Sequence, residues 1–140
     1  MKVMVVDGQG GGVGRALAAA LRARLPEGHT ITAIGTNALA TSAMLKAGAH
    51  EGATGEYAVI RNAPGSAVIA GPVGIVLAGA MLGELTPGMA RAIAESDAMK
   101  VLIPMEKCQV HVVGFVPQPL ADLISQAVDA ILSILQEASR

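Results

Sequence analysis

Tryptophan is absent from this 140-residue chain, and phenylalanine, tyrosine and cysteine occur once each. One Phe and one Tyr provide no stacking platform for bases, and the ten Lys and Arg residues are scattered, giving a net charge of -1 and no basic footprint. Nucleic acid is therefore excluded as an expected partner. A lone Cys108 excludes an internal disulfide and fits a reducing compartment. The apolar stretch after Lys2 is only four residues long before Asp7 breaks it, too short for a signal-peptide core, so a cytoplasmic location is expected. Charged residues make up 15% against 52% hydrophobic ones, which excludes disorder and allows one ample core in one domain, expected over residues 1–140.

Charge is also missing from a 21-residue run, Ala63 to Gly83, long enough to span a bilayer. Pro64, Pro72 and five glycines within it suit a buried strand, a turn and a close-packed helix better than a spanning helix, so no membrane partner is expected. His29, His50 and His111 are far apart and, with Cys108 and Glu51, show no metal-ligand spacing. No metal is expected.

What the chain does have is glycine, and five of its glycines fall between residues 8 and 14. The order is apolar run Val3-Met4-Val5-Val6, loop Asp7-Gly8-Gln9-Gly10-Gly11-Gly12-Val13-Gly14, then the helix-like Arg15-Ala16-Leu17 with Ala20, Leu21 and Leu25 at helical spacing. Strand, glycine loop and helix is the order a phosphate site needs: residues without side chains admit the backbone to the anion, and the positive end of the helix stabilises it.

The remaining pattern alternates strands with helices. Strands are expected at Lys2 to Val6, Thr30 to Ile34, Ala67 to Ala70 and Lys100 to Pro104. Helices are expected after the glycine loop, from Ala38 to Ala47, from Tyr57 to Asn62 with Thr54 as cap, from Gly74 to about Leu82, after Thr86-Pro87, and after Pro117 and Pro119. Gln109 to Val116 follows Lys100 to Pro104 after a link too short for a parallel crossover, which predicts an antiparallel hairpin strand. The fold class is thus α/β: a small Rossmann-like three-layer sandwich, with a mostly parallel sheet, a C-terminal antiparallel hairpin strand and a C-terminal helix.

In such sheets ligands sit at the carboxyl ends of the strands. Those ends carry Gly8, Gln9, Gly10, Gly11, Gly12, Gly14 and Arg15; then Gly35-Thr36-Asn37; then Gly71, Pro72 and Gly74; then Pro104 to Cys108. Thr36 and Asn37 have two readings, as hydrogen-bonding groups for a ribose, base or phosphate and as caps of the following helix. Cys108 beside Lys107 has two as well, a thiolate favoured by a nearby cation and a small buried hydrophobe.

Gly8, Gly12 and Gly14 form Gly-x-x-x-Gly-x-Gly, which resembles the cofactor loop of short-chain dehydrogenases, including the continuation Val13-Gly14-Arg15-Ala16-Leu17. The chain departs from that family elsewhere. Asn37 stands where an acid would bind a ribose hydroxyl, and the only tyrosine, Tyr57, is followed four residues later by Arg61 and not by the Lys of Tyr-x-x-x-Lys.

Over nearly its whole length the chain resembles an uncharacterised bacterial family, domain of unknown function 3842. The resemblance is carried by Asp7 to Gly12, Gly35 to Ala38 with Ala40-Thr41, Met44 to Ala49, Gly52 to Glu56, Gly71 to Ile75, Met81 to Pro87, and Leu102 to Pro104 with Lys107-Cys108. It implies a single-domain cytoplasmic protein and no particular activity. Ala70-Gly71-Pro72 and Ala92 to Val101 are similar to a segment of the 2-phospho-lactate transferase and gluconeogenesis-factor group, which implies a Rossmann-like sheet and a nucleotide-linked ligand.

Three expectations follow. The first is a binding module whose glycine loop and Arg15 cradle a phosphate-containing small molecule: a nucleotide, dinucleotide or nucleotide sugar. The second is a small transferase or redox enzyme with a nucleotide-linked cofactor and Cys108, Lys107 or Glu84 as a reacting group. The third is a dimeric structural or regulatory module, joined through the small-residue helix expected between Gly71 and Gly83.

Overall fold

The computed structural model describes residues 1–105 and 109–140. Five strands form one sheet: β1 (Lys2–Asp7), β2 (Thr30–Gly35), β3 (Glu51–Thr54), β4 (Val68–Pro72) and β5 (Met99–Ile103). Their order is β3-β2-β1-β4-β5 and every pairing is parallel. Between and after them lie α1 (Gly12–Arg24), α2 (Ala38–Ala47), α3 (Glu56–Asn62), α4 (Pro87–Glu95) and α5 (Leu120–Ala138).

Central β1 is covered on both faces, which is why it reads as an unbroken apolar run. Val3 and Val5 face one layer, packing with Leu17 and Leu21 of α1, Met44 of α2, and Val128 and Ile131 of α5. Met4 and Val6 point the other way, into Val59 of α3 and Met89 and Ile93 of α4. This is a three-layer Rossmann-like α/β arrangement. No helix among the described residues is long and apolar enough to cross a membrane.

The expected antiparallel hairpin is absent, since all five strands are parallel and residues 109–119 contain none. A turn at Val113-Gly114, closed by the Phe115 N–H donating to the Val112 carbonyl at 3.1 Å, interrupts the alternating run. Val113 is 90% exposed, so the alternation has no face to bury. The helix expected up to Leu82 is likewise replaced by a short 3-10 turn, Val73–Val76, and a strap of tight turns from Leu77 to Leu85. Gly79 and Gly83 at positive φ, with Met81 and Leu82 also left-handed, are incompatible with continuous helix.

Glu51–Thr54, which none of the expected strands covers, is the edge strand β3, held by its register with Thr32 to Gly35 of β2. Thr54 caps nothing: its hydroxyl meets that of Thr41 at 2.7 Å, and Gly55 occupies the cap of α3.

Candidate functional site

The order 3-2-1-4-5 reverses direction between β1 and β4, so the loops leaving those two strands diverge and leave a crevice at the carboxyl edge. A cleft of about 440 Å³ opens there. It is lined by Asp7 to Val13 from the glycine loop, Pro72 and Gly74 after β4, Met81 and Leu82 from the strap, and Met105 after β5.

Asp7 organises the loop from beneath. Buried at the end of β1, its Oδ1 accepts the Gly8 N–H at 2.8 Å and its Oδ2 accepts the Gly14 N–H at 2.7 Å, tying strand end to first helical turn. Burial pushes its carboxyl above the ordinary 3.8, against the opposing pull of the Gly14, Gly8 and Val13 amides.

The glycines serve different ends. A Cβ at Gly8 would run into the Thr36 hydroxyl and Met81 Sδ, and one at Gly14 would lie 2.6 Å from Met44 Sδ and 2.8 Å from Asp7 Cβ. Gly11, at φ +73, occupies the left-handed cap of α1, where its backbone comes close to that of Ala40. Gly10 and Gly12 are exposed, do not have positive φ, and have nothing within 4 Å of an added Cβ. The N–H groups of the loop divide the same way. Those of Gly8, Gln9, Gly11, Gly14 and Arg15 are hydrogen-bonded within the protein. Those of Gly10 and Gly12 have no partner among the described residues.

Thr36 and Asn37, at the end of β2, converge on the strap. The Thr36 hydroxyl and Asn37 Nδ2 donate to Glu84 Oε1 at 2.7 and 2.8 Å, and the Gln9 N–H donates to the same oxygen at 2.8 Å. These three donors, led by Gln9, hold the Glu84 carboxyl below its ordinary 4.5. Asn37 is also the cap of α2, its Oδ1 accepting the Ala40 N–H at 2.9 Å.

The cleft brings Gly8 to Gly12, Pro72 and Gly74 together as expected, and leaves other candidates apart. Arg15 lies outside it, in a surface depression with Leu39, Ser42 and Lys46 between α1 and α2. Gly71 is buried in β4, where a Cβ would strike the Val6 carbonyl oxygen, so it serves strand packing. Lys107 and Cys108 lie outside the described residues. Sequence reasoning missed Asp7 as the anchor and Met81, Leu82 and Met105 as walls. Only the position of Asp7 at the strand end signalled the first, and nothing local signalled the others.

Residues 2–136 match the family described as Domain of unknown function (DUF3842). The chain belongs to that family. No curated protein matches the sequence. Among solved structures it is similar to a dodecameric FMN-dependent Ubix-like decarboxylase from Escherichia coli O157:H7, at 16% identity and a TM-score of 0.52, covering 97% of this chain and 95% of that one. It is also similar to apo saccharopine dehydrogenase (L-Glu forming) from Saccharomyces cerevisiae, at 10% identity and a TM-score of 0.49, covering 86% of this chain and 23% of that one. The decarboxylase likeness extends over the whole α/β fold of this DUF3842 member.

Proposed function

We propose that this protein binds a phosphate-bearing small molecule of the nucleotide class, a nucleotide, dinucleotide or nucleotide sugar, in the cleft between the glycine loop and β4. The observation that carries the reading is the pair Gly10 and Gly12. Glycine destabilises a fold by roughly 0.5–1 kcal/mol relative to alanine unless its conformation or surroundings demand it. Neither demand exists here, because both positions face open cleft and have unpaired N–H groups at the start of a thirteen-residue helix. Bare backbone of this kind suits an oxygen-rich anion approaching the amides. Asp7 takes the Gly8 and Gly14 amides and leaves those of Gly10 and Gly12 to the ligand.

A thermal-shift panel of nucleoside mono- and diphosphates, dinucleotides, nucleotide sugars and FMN tests this. FMN is included because it carries a phosphate and because the Escherichia coli decarboxylase depends on it. A ligand at a hundred times its Kd adds about 2.7 kcal/mol of stability. No shift with any compound, or a shift that survives Gly12→Val, overturns the reading.

A further inference from the structure

The ribose-binding acid that a Rossmann site ordinarily carries at the end of its second strand is missing at Asn37. A carboxylate nevertheless reaches that spot, because Asn37 itself holds one there. Glu84 arrives from the strap after β4, 47 residues away in sequence, and its Oε1 is fixed by the Gln9 N–H, the Thr36 hydroxyl and Asn37 Nδ2. Its second oxygen, Oε2, has no hydrogen-bond partner among the described residues.

We propose that Glu84, which stands beside the cleft against Gln9, Thr36 and Asn37 and not in its lining, is the sugar-reading residue, its Oε2 accepting a ribose 2′-hydroxyl of the ligand whose phosphate lies on the Gly10 and Gly12 amides. The inference rests on the nucleotide reading above and specifies it: the ligand is a ribonucleotide with an unmodified 2′-hydroxyl. Position supports it, since the amide that pins Glu84 belongs to Gln9, the residue before Gly10. Rigidity supports it too. A carboxylate already clamped by three donors from two loops loses little further freedom when a hydroxyl docks on its open side. An ionised acceptor also carries a selection rule, favouring a hydroxyl and repelling a phosphate at the same carbon.

The test compares the binding of ADP and UDP with that of their 2′-deoxy counterparts, and of NAD with that of NADP, in wild type and in Glu84→Gln. Glutamine keeps an oxygen for the three donors and replaces the open oxygen with a donor. Wild type is expected to prefer ribose over deoxyribose by about tenfold or more, the scale of a hydrogen bond to a charged group, and NAD over NADP. In Glu84→Gln both ratios are expected to collapse towards one. Parity in wild type overturns the proposal even if the variant does not fold, and ratios unchanged in a folded Glu84→Gln overturn it equally. Binding of FMN alone, which has no ribose ring, overturns this proposal and leaves the phosphate reading standing. Binding of nothing overturns both.

Discussion

Asn37 fastens Glu84 and caps α2 with the same side chain: Nδ2 donates to Glu84 Oε1 at 2.8 Å while Oδ1 accepts the Ala40 N–H at 2.9 Å. Nδ2 also donates to the Gln9 carbonyl at 3.0 Å. One residue thus links the β1 loop, the β2 end and the strap, its Nδ2 serving the strap and its Oδ1 the start of α2.

Removing that link has a defined cost. Asn37→Ala is expected to destabilise the protein by about 0.5–2 kcal/mol, the range for losing a helix cap. Asn37→Asp keeps the cap oxygen but sets a second carboxylate against Glu84, so it restores the helix and not the strap. Urea unfolding of both variants, with hydrogen exchange at Gly83 and Leu85, separates the two roles. Equal protection of the strap in wild type and Asn37→Asp would refute the link.

The loop glycines divide into two classes by the same measurement. Gly14→Ala places a methyl against Met44 and Asp7 and is expected to cost about 1–3 kcal/mol, as overpacking does. Gly10→Ala and Gly12→Ala meet open space and should gain up to about 1 kcal/mol of stability while weakening ligand binding. A large stability loss at either open position would show that the fold itself needs those glycines.

Acid titration separates the two carboxylates because burial and hydrogen bonding shift them in opposite directions. Asp7, raised above 3.8 by burial, contributes stability that is fully present below 3.8 and is lost as pH rises through its folded value. Glu84, lowered from 4.5 by its donors, contributes stability present above 4.5 and lost as pH falls through its folded value. In urea unfolding from below pH 3.8 to neutrality, Asp7→Asn should therefore remove stability preferentially at the acid end, and Glu84→Gln preferentially above 4.5. The reverse assignment would mean that the two environments are misjudged.

Local signals account for what was legible in the sequence. Thr86 and Pro87 start α4 as their capping chemistry dictates, the Thr86 hydroxyl accepting the Met89 N–H at 3.2 Å. Strands β1, β2 and β4 declared themselves through buried runs, and β5 through its apolar Val101-Leu102-Ile103, of which only Ile103 is buried. Strand β3 did not, because Glu51–Thr54 is exposed along its length and is held by backbone pairing with β2 and by side-chain hydrogen bonds with Thr32 and Thr41 rather than by burial. The hairpin misled for the converse reason: alternation over Val110 to Val113 is a local pattern with no partner face. In the glycine loop, position and composition were visible, but which glycines the fold needs depends on Ala40, Met44 and Met81, remote in sequence. Glu84 stood out only as a charge ending a long uncharged run, and no periodicity could join it to Thr36 and Asn37.

The strap carries the last prediction. Leu82 is 98% exposed and left-handed at φ 57, directly after Met81 at φ 60. An L-residue in that region is strained by roughly 1–2 kcal/mol, and at Leu82 no burial offsets it. Leu82→Gly relieves the strain but adds about 0.5–1 kcal/mol of unfolded-chain entropy, so a net gain in stability of up to about 1 kcal/mol is expected. Leu82→Ala keeps the Cβ and should bring no such gain. Because Leu82 forms one wall of the cleft, both variants should weaken ligand binding by removing apolar contact, whatever their stability. A glycine variant that is more stable yet binds less tightly would locate strain and function at one residue, whereas unchanged affinity in both variants would remove Leu82 from the site.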